Sequence, residues 1–177
     1  MRIISGKYKG RRFTPPSDFR ARPTTDFARE GLFNILSVRY DFEDKNVLDL
    51  FAGTGSIGLE FYSRGAEHVV MVEQNRKHAS FIAANINKLG AVGAEVVQAD
   101  VKSFIKKKAG IFDFVFADPP YDLAWLDTIP ALVLDSGLMA DNALFILEHP
   151  KNYSFGTHPS FEEHRHYGSV NFSFFRK

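Results

Sequence analysis

The glycine-rich segment Asp49–Gly58, DLFAGTGSIG, places the tightest constraint on the fold of this 177-residue chain. It follows a near-continuous apolar run, Asn46–Phe51, and precedes a helical pattern. Glycines let the backbone turn sharply and approach a ligand closely. Gly53, Gly55 and Gly58 satisfy the G-x-G-x-x-G spacing, which is typical of a strand-turn-helix unit that binds a nucleotide-type ligand.

Strands and helices alternate along the chain from this segment onward. The predicted strands are Asn46–Phe51, His68–Glu73, Ala94–Gln98, Phe112–Ala117 and Ala143–Glu148. The predicted helices are Ser56–Ser63, Asn75–Leu89, Val101–Lys108 and Leu123–Leu134. Continuous apolar strands separated by helices indicate a parallel sheet that is covered on both faces.

The two ends of the chain depart from this alternation. Phe161–Tyr167 and Val170–Phe175 predict two strands whose connection is so short that they must pair antiparallel. The first 14 residues predict a short β-hairpin, and Asp26 is expected to cap the helix that follows. We therefore expect an α/β fold: a doubly wound, mostly parallel sheet with a C-terminal antiparallel hairpin and an N-terminal β-hairpin/helix extension. It forms a single domain, with residues 1–40 as the extension and 41–177 as the core.

Composition narrows the class of protein. The chain has no cysteine, which excludes disulfides and thiolate chemistry and is typical of a cytoplasmic protein. No segment is apolar for long enough to span a bilayer, so we expect no membrane association. His164 and His166 share a strand face but have no third ligand at a suitable spacing, so no metal is expected. We expect a monomer.

Basic residues concentrate near the N-terminus. Residues 1–30 hold eight Lys and Arg against three Asp and Glu, whereas acids outnumber bases in the rest of the chain. Such an arm suits contacts with a phosphate backbone, although a solvated leader is an alternative. The residues expected to bind RNA are Lys7, Lys9, Arg11, Arg12, Arg20 and Arg22.

Three acidic residues lie in, or at the ends of, the first three strands of the core. Asp49 is placed beside the glycine-rich turn, where a carboxylate suits a cationic ligand that carries an amino acid, such as S-adenosylmethionine. Glu73 is expected to take the ribose hydroxyls, and Asp100 the adenine amino group. A bracing role for Asp49 and a helix N-cap role for Asp100 are the alternatives. The full set of residues expected to bind this cofactor is Asp49, Phe51, Gly53, Gly55, Glu73 and Asp100.

The fourth strand ends in the tetrapeptide Asp118-Pro119-Pro120-Tyr121. An exocyclic amine on a base is a poor nucleophile because its lone pair is delocalised into the ring. The Asp118 carboxylate and a main-chain carbonyl near Pro119 can accept its two hydrogens and aim the lone pair at a methyl group. The prolines stiffen the loop, and Tyr121 offers a face on which an extruded base can stack. We expect all four residues to be catalytic, although a structural Pro-Pro turn is the alternative.

Nearly the whole chain resembles the RsmD family of 16S ribosomal RNA guanine-N2 methyltransferases. The resemblance is carried by MRIISGKYKGRRF, RPTTDFAREGLFNIL, VLDLFAGTGSIGLEFYSRGA, FDFVFADPPY and HYGSVNFSFF. It implies a Rossmann-like class I methyltransferase fold, S-adenosylmethionine as donor with S-adenosylhomocysteine as product, and a guanine of small-subunit ribosomal RNA as target. The RNA is expected to be presented within a small-subunit particle.

The chain departs from that family at three positions. Ser5 and Gly31 stand where Gly and Ala are usual, and Phe27 replaces a usual Arg, which removes one candidate RNA or donor contact. Rival functions remain open from the sequence. A DNA adenine-N6 methyltransferase shares the tetrapeptide but usually carries a sizeable recognition domain, and a protein-glutamine methyltransferase usually has Asn at the first position of that loop. A non-catalytic RNA-binding module leaves the acidic residues unexplained.

Overall fold

The computed structural model describes residues 1–15, 26–107 and 110–177. The helices are α1 (Asp26–Arg39), α2 (Ser56–Ser63), α3 (Arg76–Leu89), α4 (Val101–Lys107) and α5 (Ile129–Leu134), and Leu126–Thr128 form a 3-10 turn. The strands are β1 (Asn46–Leu50), β2 (His68–Glu73), β3 (Ala94–Gln98), β4 (Phe112–Ala117), β5 (Met139–His149), β6 (Phe161–Tyr167) and β7 (Val170–Arg176). Arg20, Arg22 and Lys108 lie outside the described residues.

The sheet has seven strands in the order β3-β2-β1-β4-β5-β7-β6. Strands β1 to β5 pair in parallel, whereas β7 pairs antiparallel with β5 and β6 antiparallel with β7. The α/β fold, the mostly parallel sheet and the C-terminal antiparallel hairpin are therefore confirmed. The direction in which strands are added reverses between β1 and β4, and ligands of open α/β sheets bind at such a switch point, outside the carboxyl ends of the strands.

Each face of the sheet is covered by its own apolar layer. Helices α1, α2 and α3 and the N-terminal segment pack on one face, which we call the N-terminal face. Helices α4 and α5 pack on the other. Many of the phenylalanines lie in these layers: on the N-terminal face, the Phe61 ring contacts those of Phe33, Phe42 and Phe114 at centroid distances of 4.7, 5.3 and 5.7 Å. These contacts fix α1 and α2 against the start of β4.

Two predicted elements have boundaries that are wrong by several residues. The predicted helix Leu123–Leu134 begins only at Ile129, because its first residues form turns, and Pro130 sits in the first helical turn, where its missing amide hydrogen costs least. Strand β5 starts at Met139 rather than Ala143, and its pairing with β4 shifts register near Asn142, which has a φ of 63°. Because this stretch includes polar residues, the sequence has no continuous apolar run there, and the start of the strand was not predicted.

The residues that differ from the usual family pattern in α1 pack against the C-terminal hairpin. A Cβ on Gly31 would lie 2.2 Å from the Tyr167 ring, and the Tyr167 hydroxyl donates to the Gly31 carbonyl at 3.0 Å. Phe27 contacts the same ring edge-on at a centroid distance of 6.0 Å and is 68% exposed. Tyr167 thus occupies the space that an alanine methyl group would need, which accounts for glycine at position 31.

The N-terminal hairpin is docked on α2 by buried polar groups. Its strands meet in a single isolated bridge, Arg2 with Arg12, so the hairpin is shorter than a regular one. The Glu60 carboxylate, fully buried, accepts from the amides of Ile4 and Ser5 at 2.8 and 3.0 Å. Ser63 accepts from the Tyr8 amide through its hydroxyl at 2.9 Å. Because buried donors and acceptors are costly to leave unpaired, these contacts hold the hairpin in one position.

We predict that Gly6→Ala destabilises the protein far more than Gly10→Ala. Both glycines have a positive φ, 79° and 82°, but a Cβ at position 6 would lie 1.8 Å from the Ser63 carbonyl oxygen, whereas position 10 is open. Gly10→Ala should cost about 1–2 kcal/mol of unfolding free energy, from backbone strain alone. Gly6→Ala should cost at least about 2 kcal/mol more. Urea unfolding of both variants measures the difference, and equal losses would show that the hairpin is not held against α2.

Candidate active site

Carboxylates gather at the carboxyl edge of the sheet, on its N-terminal face. Side chains alternate between the two faces of a strand. Because Val47, Met71 and Ile146 belong to the apolar layer of the N-terminal face, Asp49, Glu73 and Glu148, two residues further along their strands, point to the same side. A fourth carboxylate, that of Asp118, directly follows the last residue of β4. Three of these were predicted from the sequence. Glu148 was missed, because it sits inside an apolar strand with no motif around it.

The glycine-rich turn is organised by Glu73. Its carboxylate accepts from the Gly53 amide at 2.9 Å and from the Asn75 amide at 2.7 Å, and the residue is only 8% exposed. Phe51, Gly53 and Gly55 all have a positive φ, which bends the chain directly into α2. The structure therefore brings Glu73 and the turn glycines together, as the sequence predicted, and leaves main-chain groups of the turn along the crevice.

Asp49 braces the start of α2. Its Oδ2 accepts from the Gly58 amide at 2.9 Å, and a Cβ on Gly58 would lie 2.5 Å from the Met71 side chain. Only glycine allows so close an approach of helix and strand. Asp49 is 2% exposed, and this burial raises its pKa to about 7, against the lowering effect of the Gly58 amide and with a further increase from Glu73. The bracing contact is one of the two roles considered for Asp49.

Asp100 caps α4. Its Oδ1 accepts from the Ser103 amide at 3.0 Å, in the manner of an N-cap. Nearby, the Lys102 ammonium lies 4.1 Å from the centroid of the Trp125 ring, and Trp125 in turn contacts Phe51 at 6.1 Å. Phe51 and Trp125 thus join the end of β1 to the loop after β4. The capping bond is the alternative role that the sequence indicated for Asp100, and adenine recognition by this residue stays a prediction.

The tetrapeptide forms a turn at the mouth of the switch point. Asp118 is half-buried and Pro119 buried, whereas Pro120 and Tyr121 are exposed. The Pro120 carbonyl accepts from the Leu123 amide at 2.9 Å, which closes the turn. Tyr121 donates through its hydroxyl to Glu148 Oε1 at 3.1 Å. The loop therefore presents its carboxylate and its aromatic ring at the same edge as the glycine-rich turn.

The predicted RNA-binding residues that the structure describes all lie on the N-terminal hairpin. Lys7, Lys9, Arg11 and Arg12 are all exposed. The Lys7 amide donates to the carbonyl of Ser63, the last residue of α2. Since α2 starts at the glycine-rich turn and extends for about 12 Å, Lys7 lies at the opposite end of that helix from the turn. An RNA that contacts both the hairpin turn and the site must therefore extend along the N-terminal face.

Metal-binding clusters and membrane-spanning helices are both absent from the described part of the chain. Residues 1–15, 26–107 and 110–177 contain no group of three or more His, Asp or Glu side chains that could hold a metal ion. Within the same ranges, every helix is too short or too polar to cross a bilayer. His164 Nε2 instead lies 3.1 Å from Asn171 Oδ1, and the His166 ring stacks on the His164 ring at a centroid distance of 6.4 Å.

The fold is that of S-adenosylmethionine-dependent methyltransferases. It matches a SAM-dependent methyltransferase from Streptococcus mutans with a TM-score of 0.64 at 15% identity, over 84% of this chain and 47% of that one. It also matches the methyltransferase SMU.776, complexed with SAH, with a TM-score of 0.66 at 15% identity, over 84% and 48% of the two chains. At this level of identity the likeness concerns the fold alone, and it confirms the Rossmann-like methyltransferase architecture.

Sequence comparison identifies the family. The model of the family described as Conserved hypothetical protein 95 matches residues 1–176. The ribosomal RNA small subunit methyltransferase D of Escherichia coli K12 is 38% identical over 148 residues, 84% of this chain and 74% of its own. The hypothetical protein TTHA0928 of Thermus thermophilus matches with a TM-score of 0.87 and 32% identity, over 100% and 99% of the two chains. The chain belongs to the ribosomal RNA small subunit methyltransferase D, or RsmD, family.

We predict that Asp49→Asn stabilises the protein at neutral and alkaline pH. The folded-state pKa of Asp49 lies above its ordinary value of 3.8, so keeping this carboxyl ionised in the fold costs free energy. The cost is absent below about pH 4, grows as pH rises to about 7 and is then constant. Asparagine keeps an acceptor for the Gly58 amide without the charge. The gain in unfolding free energy should approach, as an upper limit, roughly 4 kcal/mol at pH 8.

Chemical unfolding of the wild type and the variant between pH 4 and pH 8 measures this dependence. Asp122→Asn, which changes an exposed acid on the loop after β4, is the matched control and should change stability by less than about 0.5 kcal/mol at every pH. A pH-independent difference between wild type and Asp49→Asn would contradict the raised pKa.

Proposed function

We propose that this protein transfers a methyl group from S-adenosylmethionine to the exocyclic N2 of a guanine in small-subunit ribosomal RNA. The observation that carries the proposal is the placement of Asp118 and Tyr121 at the same edge and on the same loop, next to the glycine-rich turn and the acid that organises it. Membership of the RsmD family supports ribosomal RNA as the substrate class, because its Escherichia coli relative bears that name.

The donor site fits a cationic ligand. Asp49 and Glu73 put two carboxylates beside a turn whose close helix contact only glycine permits, and Asp49 offers one oxygen, Oδ2, to the Gly58 amide. S-adenosylmethionine carries a sulfonium and an ammonium group, which such carboxylates attract. We assign the amino-acid end of the donor to Asp49 and the turn, the ribose hydroxyls to Glu73 and the adenine amino group to Asp100. When bound, the donor supplies an electrophilic methyl group.

The acceptor is oriented by the tetrapeptide. The Asp118 carboxylate accepts one hydrogen of the guanine amino group, and the Pro119 carbonyl accepts the other. Because the Pro120 carbonyl is already used by the Leu123 amide, Pro119 is the natural choice for this second acceptor. Tyr121 stacks on the extruded base. Two acceptors hold the nitrogen pyramidal with its lone pair aimed along the line of transfer, so positioning supplies much of the rate.

The substrate RNA contacts the basic residues of the N-terminal region. Lys7, Lys9, Arg11 and Arg12 are exposed on the docked hairpin and neutralise phosphates. Since Lys7 lies at the far end of α2 from the site, these residues bind RNA that flanks the target rather than the target itself. This arrangement favours a large folded RNA or a small-subunit particle over a short oligonucleotide. We propose that the protein acts as a monomer in the cytoplasm.

Methyl transfer from labelled S-adenosylmethionine to three acceptors tests the function. The acceptors are small ribosomal subunits, naked small-subunit RNA and duplex DNA, each from cells that lack the family enzyme. N2-methylguanosine in either RNA sample is the expected product, and a comparison of the two rates identifies the better substrate. N6-methyladenine in DNA, or methylated adenine in RNA, would refute the guanine assignment and leave the donor assignment intact.

We predict that Asp118→Ala lowers kcat at least about a hundredfold, the usual loss when one fixed transition-state contact is removed. Donor affinity should be unchanged within about twofold, because the donor residues lie on β1, β2 and the end of β3. Single-turnover methyl transfer and calorimetric titration with S-adenosylhomocysteine measure the two effects. Asp122→Ala, on the same loop, is the control and should behave as wild type. An equal loss of donor affinity in Asp118→Ala would move this residue into the donor site.

A further inference from the structure

Glu148, on β5, adds a second carboxylate beside Asp118, in the part of the site that we assign to the acceptor base. Strands β4 and β5 run parallel with Ala117 opposite Leu147, so the next residues, Asp118 and Glu148, are neighbours at the carboxyl edge. Glu148 points to the N-terminal face of the sheet, as Ile146 does two residues earlier on β5. On its other side Glu148 pairs with Phe172 of β7, which is fully buried. The carboxylate therefore lies beside Asp118, next to an apolar strand.

Tyr121 covers this carboxylate. The tyrosine hydroxyl donates to Glu148 Oε1 at 3.1 Å, and Tyr121 is 43% exposed whereas Glu148 is 3% exposed. The ring of Tyr121, which is the one assigned to stacking on the base, would uncover the carboxylate if it rotated away from Glu148. Uncovering removes one donor from the carboxylate, and a buried acceptor that loses a donor favours a new one in its place.

We propose that Glu148 is a specificity-determining residue that selects guanine by accepting a hydrogen bond from its N1–H group. This inference rests on the proposed function. The base enters against Tyr121, and its N1–H replaces the tyrosine hydroxyl as the donor to Glu148. The adjacent N2 amino group then lies at Asp118, the neighbour of Glu148 that directly follows β4. One donor is exchanged for another, so guanine enters with no loss of hydrogen bonds.

Adenine and cytosine, the other bases with an amino group, cannot replace the tyrosine hydroxyl as the donor to Glu148. In adenine the ring nitrogen next to the amino group is N1, and in cytosine it is N3; both are acceptors without hydrogen. A carboxylate is an acceptor only, so these bases would place two acceptors against each other. Sites built to pair with a substrate hydrogen reject analogues that lack it. A hydrogen bond to a charged group corresponds to a preference of about tenfold to a hundredfold.

The test uses RNA in which the target guanine is replaced by 2-aminopurine. This base keeps the amino group at position 2 but lacks both the N1 hydrogen and O6, so the Glu148 variant described below is needed to assign the effect to the N1–H contact. The target nucleotide is first mapped by nucleoside analysis of the methylated RNA from the assay above. The wild type should methylate the guanine RNA with a kcat/KM at least about tenfold higher than the 2-aminopurine RNA.

Glu148→Gln is the decisive variant. Glutamine is nearly isosteric, accepts from N1–H through its oxygen and donates to a bare N1 through its nitrogen. The preference for guanine over 2-aminopurine should therefore fall from tenfold or more to near unity, while affinity for S-adenosylhomocysteine is unchanged. Asp122→Asn is the matched control and should keep the wild-type preference. Tyr121→Phe should also keep the preference, because it removes only the hydroxyl that the base replaces.

The outcomes distinguish a failure of the Glu148 proposal from a failure of the proposed function. An unchanged preference in Glu148→Gln overturns the role of Glu148. If circular dichroism shows that this variant does not fold, the wild type decides alone, since a wild-type preference near unity also overturns the proposal. In contrast, a wild type that methylates no guanine in ribosomal RNA refutes the proposed function itself and is seen in the mapping step, before 2-aminopurine is used.

Discussion

Two hydrogen bonds from glycine amides to carboxylates hold the active-site edge of this protein together. Asp49 takes the Gly58 amide and Glu73 takes the Gly53 amide, each at 2.9 Å. Asp49 lies one residue before the end of β1, and Glu73 is the last residue of β2. Gly53 belongs to the turn between β1 and α2, and Gly58 lies in the first turn of α2. The position of the turn, and through α2 the position of the N-terminal hairpin, therefore depends on charged groups buried at the ends of neighbouring strands.

The burial of these carboxylates lowers the stability of the fold and leaves acidic groups where a ligand can bind. Burial makes the ionised form of Asp49 costly, which its raised pKa expresses. Asp49, Glu73 and Glu148 share one face at the carboxyl edge, where a core would otherwise prefer apolar side chains. A cationic donor and an amino-bearing acceptor are ligands that such an edge can use, because each provides positive charge or hydrogen-bond donors to carboxylates. The mutual proximity of these acids is thus less costly in the ligated protein than in the free one.

Much of the fold was predictable because parallel strands are buried on both faces and therefore appear as continuous apolar runs. The bounds of β2, β3, β4 and β6 agree with the prediction. The prediction failed where local pattern and tertiary context conflict. Residues 139–142 are too polar to indicate a strand. In the structure they extend β5, which pairs with β4 through a register shift. Leu123 to Thr128 look helical, yet the Pro120 carbonyl draws the Leu123 amide into a turn.

The sequence by itself determined the glycine-rich turn, the tetrapeptide and the family, because these depend on residues within a few positions of one another. Only the tertiary structure decided which distant residues meet. It set Glu148 beside Asp118, held Tyr121 against that carboxylate and separated Lys7 from the catalytic edge by the length of α2. The physical reason is that register between non-consecutive strands and docking of the N-terminal hairpin arise from packing and buried hydrogen bonds across the whole domain, and no local spacing encodes them.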